Sequence, residues 1–400
     1  MSQTELTKPT ELQAVVIDER LDVRHRLTQL RQWQQQWQQE DDLLWQRIIQ
    51  LNENSRVDIQ RGVQIAGMRR RIRLNLVREP IEITPSLLEQ VSYPELRHSL
   101  IQQFVRLTDD ERRLWLNNLL FIMTPDLRKL NDKIQKVRDS RSFGQQRNFL
   151  LGGESGMGKT TYLNWLTAQL IPTVEKNRNR VPLIKIDAPE SSNRTPKPLL
   201  QRIILECGLN YVKGDNEEDL LMKLVLYFQK CQVELLMVDE VEHISRDDMR
   251  RRLLEVSNLT PGVPIICASC HPLRWVEGDL EIAGRWNDYF ELKQYTGDRL
   301  SQLLAFVELL LPFPQSSSLA LFEIEADQGT RRAGPAQLIE KWTGGILRDI
   351  MLLVLDASRQ AIQQGLPKLS VDLLAATWSE IQSRQVTDFL QLSQRNGGWL

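Results

Sequence analysis

The sequence contains little cysteine and no long hydrophobic segment. Four cysteines among 400 residues are too few and too unevenly spaced for a disulfide framework, which predicts a reducing, intracellular compartment. No apolar run reaches the roughly 20 residues that a helix needs to cross a bilayer. The first residues, MSQTELTKPTELQ, lack the basic and apolar regions of a secretory signal. We therefore expect a cytoplasmic protein that does not enter a membrane.

The chain also lacks an excess of charge of either sign. Its formal net charge is −1 and its pI is near 6.5, which excludes a uniformly basic nucleic-acid-binding protein. Any contact with DNA must therefore come from the placement of a few basic residues. Hydrophobic residues make up 41% and charged residues 26% of the chain, as in globular proteins, and the length allows two or three domains.

Residues 1–115 form a predicted N-terminal extension. Apolar residues recur at helical spacings between Glu11 and Leu51, which predicts one or two helices that pack on their own chain or bind a partner. Ile72, Leu74 and Leu76 then alternate with polar residues, as in a half-exposed strand. The densest basic cluster of the chain lies here, and it is either solvated or in contact with phosphate or an acidic partner: Arg69, Arg70, Arg71 and Arg73.

Residues 116–296 show short apolar runs that alternate with helical segments. The runs are FLLGG, VPLIKIDAP, ELLMVDE, VPIICAS and DYFELKQY. Apolar strands separated by helices are typical of a parallel sheet covered on both faces, so we predict an α/β core. In residues 297–400 no strand run of that kind returns, and the pattern predicts four helices: Asp298–Leu311, Pro335–Trp342, Ile346–Gln364 and Ser370–Ile381.

A phosphate-binding motif lies between the first apolar run and the next helix. It fits the pattern GxxxxGK[ST] and comprises Gly153, Glu154, Ser155, Gly156, Met157, Gly158, Lys159 and Thr160, with Thr161 following. The glycines let backbone N–H groups and the helix N-terminus face phosphate groups. Lys159 is expected to neutralise the terminal phosphates, and Thr160 to ligate Mg²⁺. The flanking strand and helix argue against a chance glycine turn.

Two carboxylates end the run ELLMVDE, about eighty residues after the phosphate motif. We predict that Asp239 holds Mg²⁺ and that Glu240 acts as the general base that polarises the attacking water. A strand that merely ends in a solvated acidic pair is the alternative. The pair Cys267 and Cys270, with His271 and His243 nearby, invites a zinc assignment, which we reject because Cys267 falls in a predicted buried strand and no second ligand pair has the usual spacing.

The order of these motifs resembles that of AAA+ ATPases, and it includes VPIICASCHP, IAGRW and TGGILRD. Within them, VDEVEHI, RRRLLEVSNLTPGVPIICAS and RWNDYFEL are most similar to TnsC and TniB, the transposition regulators of Tn7-like and CRISPR-associated transposons. The resemblance extends from Phe121 to Ile381. It implies a five-stranded parallel sheet, a helical lid subdomain with a short tail, and ATP with Mg²⁺ as the cofactors.

The resemblance also implies roles for individual side chains. Arg285 matches an arginine finger that reaches a neighbouring subunit's nucleotide, and Arg348 matches the second sensor; a surface salt bridge is the alternative for both. The first sensor matches either Ser269 or Cys270, and Ser269 is the better donor by chemistry. The residues matching the DNA-contacting loops are Arg194, Lys197 and Lys213, each of which is otherwise a solvated charge.

The resemblance implies that ATP-bound subunits assemble as a ring or helical filament on duplex DNA of the bacterial nucleoid. The oligomer would then recruit a transposase. Hydrolysis would disassemble it, and the N-terminal extension would dock a target-selection protein or the transposase. Two other functions remain open. One is a nucleotide-gated signalling switch without nucleic acid, and the other is a replication-initiator or helicase-loader ATPase, although few residues follow Ile381 for a winged-helix domain.

Overall fold

The computed structural model describes residues 22–28, 31, 43–44, 46–50, 65–66, 93–117, 122–139, 148–174, 179–189, 195–209, 212, 214–244, 247–260, 262–325 and 331–395. The chain divides into two compact units. The first unit takes Met1–Trp33, Pro80–Ile122 and Gln294–Leu400, and the second takes Gln34–Glu79 and Met123–Lys293. The predicted division after residues 115 and 296 stays a prediction.

Among the described residues of the second unit there are seven strands: β1 (Phe149–Gly153), β2 (Thr173–Val174), β3 (Asn179–Arg180), β4 (Leu183–Asp187), β5 (Leu235–Asp239), β6 (Ile265–Ala268) and β7 (Asp288–Leu292). Five of them form one sheet in the order β4-β5-β6-β1-β7, and all its neighbours are parallel. The pair β2–β3 is antiparallel and separate. The five apolar runs of the sequence are these five strands, which confirms the predicted parallel sheet.

Thirteen α-helices can be traced in the described residues from Tyr93 onward: α1 (Tyr93–Phe104), α2 (Asp109–Leu116), α3 (Pro125–Asp139), α4 (Lys159–Gln169), α5 (Lys197–Glu206), α6 (Glu217–Lys230), α7 (Asp247–Leu259), α8 (Leu273–Val276), α9 (Leu280–Arg285), α10 (Gly297–Leu310), α11 (Pro335–Thr343), α12 (Leu347–Gln363) and α13 (Val371–Arg395). Helices α3 to α9 lie in the second unit and cover the sheet. None of the described helices combines the length and apolarity that a membrane crossing requires.

Capping fixes where several of these helices begin. Thr108 and Glu111 form a capping box at the N-terminus of α2, and Asn216 and Asp219 form one at the N-terminus of α6. Each capping box satisfies two backbone N–H groups that would otherwise be unpaired. Buried aliphatic side chains of α5, α6 and α7 then pack with those of β4 and β5 in one apolar cluster. This packing holds the carboxyl ends of the strands in place.

The first unit is mainly helical and joins α1 and α2 to α10–α13. Trp115 of α2 donates its indole N–H to the Leu310 carbonyl over 2.7 Å, in a buried contact. The buried carboxylate of Glu308 accepts hydrogen bonds from Ser316, Ser317, Ser318 and Leu319, which fixes the chain after α10. Helices α1 and α2, at the end of the predicted N-terminal extension, therefore pack with the C-terminal helices.

Three details of the prediction differ or fall outside the description. A hairpin, β8 (Glu323–Glu325) with β9 (Arg331–Ala333), interrupts the region predicted to be helical; three-residue strands are too short to show alternation. Helix α13 runs to Arg395 instead of Ile381, because the residues that follow Ile381 contain neither proline nor glycine before Gly397. In the stretch 11–51 the described residues 23–28 and 46–50 are helical, whereas the predicted strand and basic cluster at 69–76 lie outside the described residues.

Candidate nucleotide-binding site

The functional residues lie at the carboxyl edge of the five-stranded sheet. In a parallel sheet the segments that leave β1, β5 and β6 emerge at the same edge, where α/β proteins bind ligands. Strand β6 lies between β1 and β5. The residues that follow β6 therefore stand between the phosphate motif after β1 and the acidic pair that ends β5.

The phosphate motif forms a loop that glycine makes possible. Gly153, Gly156 and Gly158 have φ values of 143°, 84° and 92°, which side-chain-bearing residues rarely adopt. A Cβ atom at Gly153 would also lie 2.7 Å from the carbonyl oxygen of Leu292 in the adjacent strand. The loop then enters α4 at Lys159, so its N–H groups and the helix N-terminus form an anion-binding concavity.

Lys159 is buried, and its ammonium group lies inside this concavity. Its Nζ atom donates to the carbonyl oxygens of Gly153 and, over 3.0 Å, Glu154. The Sγ atom of Cys270 is 3.5 Å from the same nitrogen. Elsewhere in the motif Met157 is buried, whereas four side chains are exposed: Glu154, Ser155, Thr160 and Thr161. The loop thus offers a cation and hydroxyl groups to a phosphate chain.

Asp239 ends β5 with a carboxylate that is 1% exposed. Its Oδ1 atom accepts the N–H of Glu240 over 3.1 Å. Its Oδ2 atom is buried and has no hydrogen bond to a described residue; the nearest cation is Lys185, whose Nζ lies 3.6 Å away. A buried carboxylate oxygen without a donor is costly, and a bound cation would satisfy it. Asp239 therefore has the chemistry of a metal ligand.

Glu240 stands beside Asp239 on a strained backbone. Its φ and ψ are 56° and 41°, in the left-handed region, which costs a non-glycine residue about 1 kcal/mol or more. The Glu240 side chain is 56% exposed. Its Oε2 atom lies 3.9 Å from Nε2 of His243. An exposed carboxylate next to a candidate metal ligand can accept a proton from water.

The structure separates the two candidates for the first sensor. Ser269 is buried, and its Oγ accepts the N–H of His271 over 2.9 Å. Cys270 is partly exposed and contacts the Lys159 ammonium. Burial raises the pKa of the Cys270 thiol, and the Lys159 charge only partly offsets this effect. Donor chemistry favours Ser269, whereas proximity to Lys159 of the phosphate loop favours Cys270, so the choice between them stays a prediction.

Arg285 ends α9 as an exposed arginine that forms no ion pair or hydrogen bond with a described residue. Two arginines of α7 hold the segment before it. Arg250 donates to the carbonyls of Trp275 and Glu277 over 2.8 and 3.0 Å. Arg251 pairs over 3.2 Å with Asp279, which caps α9. The helix that follows the acidic pair thus anchors the element that carries Arg285.

The remaining predicted residues are only partly described. Arg348 belongs to the first unit, where its Nε lies 2.9 Å from Asp349 and its side chain is 60% exposed. Lys197 begins α5 and is half-buried. Arg194 and Lys213 lie outside the described residues. Sequence reasoning missed Lys185, although a lysine inside the apolar strand LIKID is itself a signal, because lysine is rarely buried without a partner.

Comparison with known proteins concerns the α/β core that carries the site. Residues 141–275 match a family model described as an AAA domain, and this segment contains the phosphate loop, Asp239, Glu240 and Cys270. No curated protein matches the chain. With the parallel sheet and helical regions described above, the match indicates an AAA+ P-loop fold and supports ATPase activity.

Several solved structures are similar to parts of this chain. They include the Aeropyrum pernix ORC1 protein in complex with DNA, at 14% identity and a TM-score of 0.48 over 70% of this chain and 72% of that chain. The Aeropyrum pernix ORC2 protein in ADPNP-ADP complexes has 16% identity and a TM-score of 0.45 over 64% and 68%. Drosophila ORC bound to DNA has 13% identity and a TM-score of 0.44 over 78% and 73%. Similarity at these values supports no inference about function.

Proposed function

We propose that this ATPase is an ATP-dependent regulator of transposition, which oligomerises on target duplex DNA and recruits a transposase to it. The observation that carries the proposal is Arg285, an exposed arginine without a partner among the described residues, held on the same unit as the nucleotide site. An arginine so placed is available to the γ-phosphate bound by a neighbouring subunit. The transposition assignment itself rests on the resemblance to TnsC and TniB.

Each residue of the site has a chemical task in this proposal. Lys159 and the loop N–H groups bind the β- and γ-phosphates, and Thr160 with Asp239 would hold the Mg²⁺ ion, which neutralises phosphate charge when bound. Glu240 orients the attacking water and accepts its proton. Cys270, beside Lys159, reports whether a γ-phosphate is present. Arg348 serves as the second sensor from the helical lid.

ATP binding would then close contacts between subunits through Arg285, and hydrolysis would open them. In an assembled ring or filament, Arg194, Lys197 and Lys213 would recur in every subunit. Each would add a salt-sensitive phosphate contact, and repetition supplies the affinity that one near-neutral chain lacks. The N-terminal extension is proposed to dock the target-selection protein or the transposase.

The test is assembly of the purified full chain on plain duplex DNA, followed by electron microscopy and filter binding with ATP, ADP or no nucleotide. We expect rings or filaments that require both ATP and DNA and that disappear in Lys159→Ala. Lys197→Ala should weaken DNA binding and flatten its salt dependence, whereas Lys230→Ala, which removes an exposed lysine at the other end of the α5–α6 pair, should not.

Other outcomes would assign a different function. ATP-driven assembly that ignores DNA would support the signalling switch instead. Assembly on DNA that binds no transposase of a Tn7-like element, but loads a replicative helicase, would support the initiator or helicase-loader class. DNA binding that is indifferent to ATP would overturn the proposal.

A further inference from the structure

Lys185 is a buried cation in the middle of an apolar strand. It lies between Ile184 and Ile186 in β4, and its side chain is only 6% exposed. Side chains alternate along a strand, so Lys185 and Asp187 share one face of β4. Burying a lysine is unfavourable unless its charge is compensated, so its partners indicate why it is there.

Two carboxylates that differ in solvent exposure lie close to the Lys185 ammonium. Its Nζ atom donates a hydrogen bond to Oδ1 of Asp187 and lies 3.6 Å from Oδ2 of Asp239. Asp187 and Asp239 are register partners at the ends of β4 and β5. Asp187 is 51% exposed, whereas Asp239 is 1% exposed. The ammonium therefore donates its hydrogen bond to the solvated carboxylate of Asp187, and its interaction with the buried carboxylate of Asp239 is only electrostatic.

This division differs from that of a purely structural ion pair. A lysine that served only to neutralise Asp239 would give its hydrogen bond to that buried group, because an unsatisfied buried acceptor is the costlier one. Here Asp187 takes the hydrogen bond, and Asp239 Oδ2 has none from a described residue. The oxygen stays available to a second cation, while the ammonium remains close enough to compete with it.

We propose that Lys185 is a positioning residue that competes with the divalent metal for Asp239, and that Asp187 limits this competition by holding the ammonium. This inference rests on the proposed function of Asp239 as a metal ligand. When no metal is bound, the Lys185 ammonium would compensate the negative charge of Asp239. When metal binds Asp239, the hydrogen bond to Asp187 would hold the ammonium in place. The pair thus sets the metal concentration at which the nucleotide site fills.

Two substitutions should move metal affinity in opposite directions. Lys185→Met keeps the aliphatic stem and removes the competing charge, so the half-saturating metal concentration should fall on the order of tenfold, as expected for one charge a few ångströms away in a partly screened site. Asp187→Asn removes the group that holds the ammonium back, so the same concentration should rise by a similar factor. Both variants should bind nucleotide in EDTA as the wild type does.

The experiment titrates Mn²⁺ into the full chain with a non-hydrolysable ATP analogue and follows bound Mn²⁺ by electron paramagnetic resonance. Lys223→Met is the matched control, because Lys223 also pairs with an aspartate, Asp215, over 2.5 Å in the same unit. We expect no change in that variant. Circular dichroism verifies folding, and the exposed position of Asp187 keeps the test informative if Lys185→Met does not fold.

Shifts of the same sign in Lys185→Met and Asp187→Asn, or no shift in either, would overturn the inference. Asp239→Asn separates this failure from failure of the site assignment. If Asp239→Asn loses Mn²⁺ affinity while the other two variants behave as wild type, Asp239 is a ligand and Lys185 only fills its strand. If Asp239→Asn binds Mn²⁺ normally, the metal site itself is wrongly assigned.

Discussion

Glu240 and Asp239 are adjacent carboxylates with opposite environments, and that difference assigns them different tasks. The Asp239 side chain is buried, and that of Glu240 projects into solvent from a left-handed backbone. We predict that Glu240→Gln keeps ATP binding and lowers the hydrolysis rate by about a hundredfold or more, because the amide cannot accept a proton.

Fluorescent-nucleotide binding and phosphate release, measured on the same preparation, check this prediction. The matched control is Glu218→Gln, which removes an exposed carboxylate from α6 and should leave the rate within about twofold, since surface changes away from a site have small effects. Hydrolysis that survives in Glu240→Gln would show that another group activates the water.

Cys270 gives the site a chemical reporter. Cys207, Cys231 and Cys267 are buried, and Cys270 is partly exposed. We predict that N-ethylmaleimide modifies Cys270 first and that bound ATP slows this reaction, because its Sγ lies 3.5 Å from the Lys159 nitrogen. Since burial raises the thiol's pKa, the thiolate fraction at neutral pH is below that of a free cysteine, and the rate should increase as the pH rises.

Mass spectrometry of the modified peptides checks both statements. Cys270→Ser should remove the fast-reacting site without exposing the other three cysteines. Equal protection by ATP in Lys159→Ala would contradict the prediction, because that variant should no longer hold the phosphate chain beside the thiol.

The turn between α11 and α12 depends on two consecutive glycines that differ in their surroundings. Gly344 and Gly345 have φ values of 60° and 77°. A Cβ atom at Gly345 would lie 2.6 Å from the carbonyl oxygen of Tyr295, whereas a Cβ atom at Gly344 would meet nothing within 4 Å. The Tyr295 N–H also donates to the Gly345 carbonyl over 2.9 Å.

We therefore predict that Gly344→Ala lowers the free energy of unfolding by about 1 kcal/mol, the cost of a left-handed alanine. Gly345→Ala should lower it by about 2 kcal/mol or more, because a backbone clash is added to the same strain. Urea denaturation of the two variants checks the difference. Equal losses would mean that the turn moves away from Tyr295 without penalty.

The strands and most of the helices of this protein could be predicted because their signals are local. Apolar runs such as ELLMVDE and the period of the C-terminal helices are set by which faces are buried. The hairpin β8–β9 could not be predicted, since three residues carry no period. The sequence signals of the phosphate loop and of the acidic pair are equally local, because the residues of each occupy consecutive positions.

The parts of the site that could not be predicted depend on distances between strands. Ser269 and Cys270 are neighbours in sequence, and only the path of the chain after β6 decides which of them faces Lys159. The proposed role of Lys185 depends on the strand register that places Asp187 beside Asp239. A single sequence fixes residue types, but such pairings become visible only in three dimensions.

The position of Arg285 predicts that active sites are shared between subunits. Lys159→Ala removes the nucleotide contact of its own subunit, and Arg285→Ala removes a group that would act on the neighbour. Each homogeneous variant should hydrolyse ATP at a small fraction of the wild-type rate, since an arginine finger accounts for about a thousandfold or more in other nucleotide hydrolases.

Mixing the two inactive variants in equal amounts should restore activity if the arginine acts in trans. In a head-to-tail assembly, about one interface in four then joins an intact phosphate loop to an intact Arg285, so a rate near a quarter of wild type is expected on DNA with ATP. Phosphate release across a series of mixing ratios checks this. In the control series, Lys159→Ala is mixed with Arg274→Ala instead of Arg285→Ala, because Arg274 is an exposed arginine of α8. A mixture as inactive as its components would mean that Arg285 serves its own subunit or none, because no arrangement of such subunits could then complete a site.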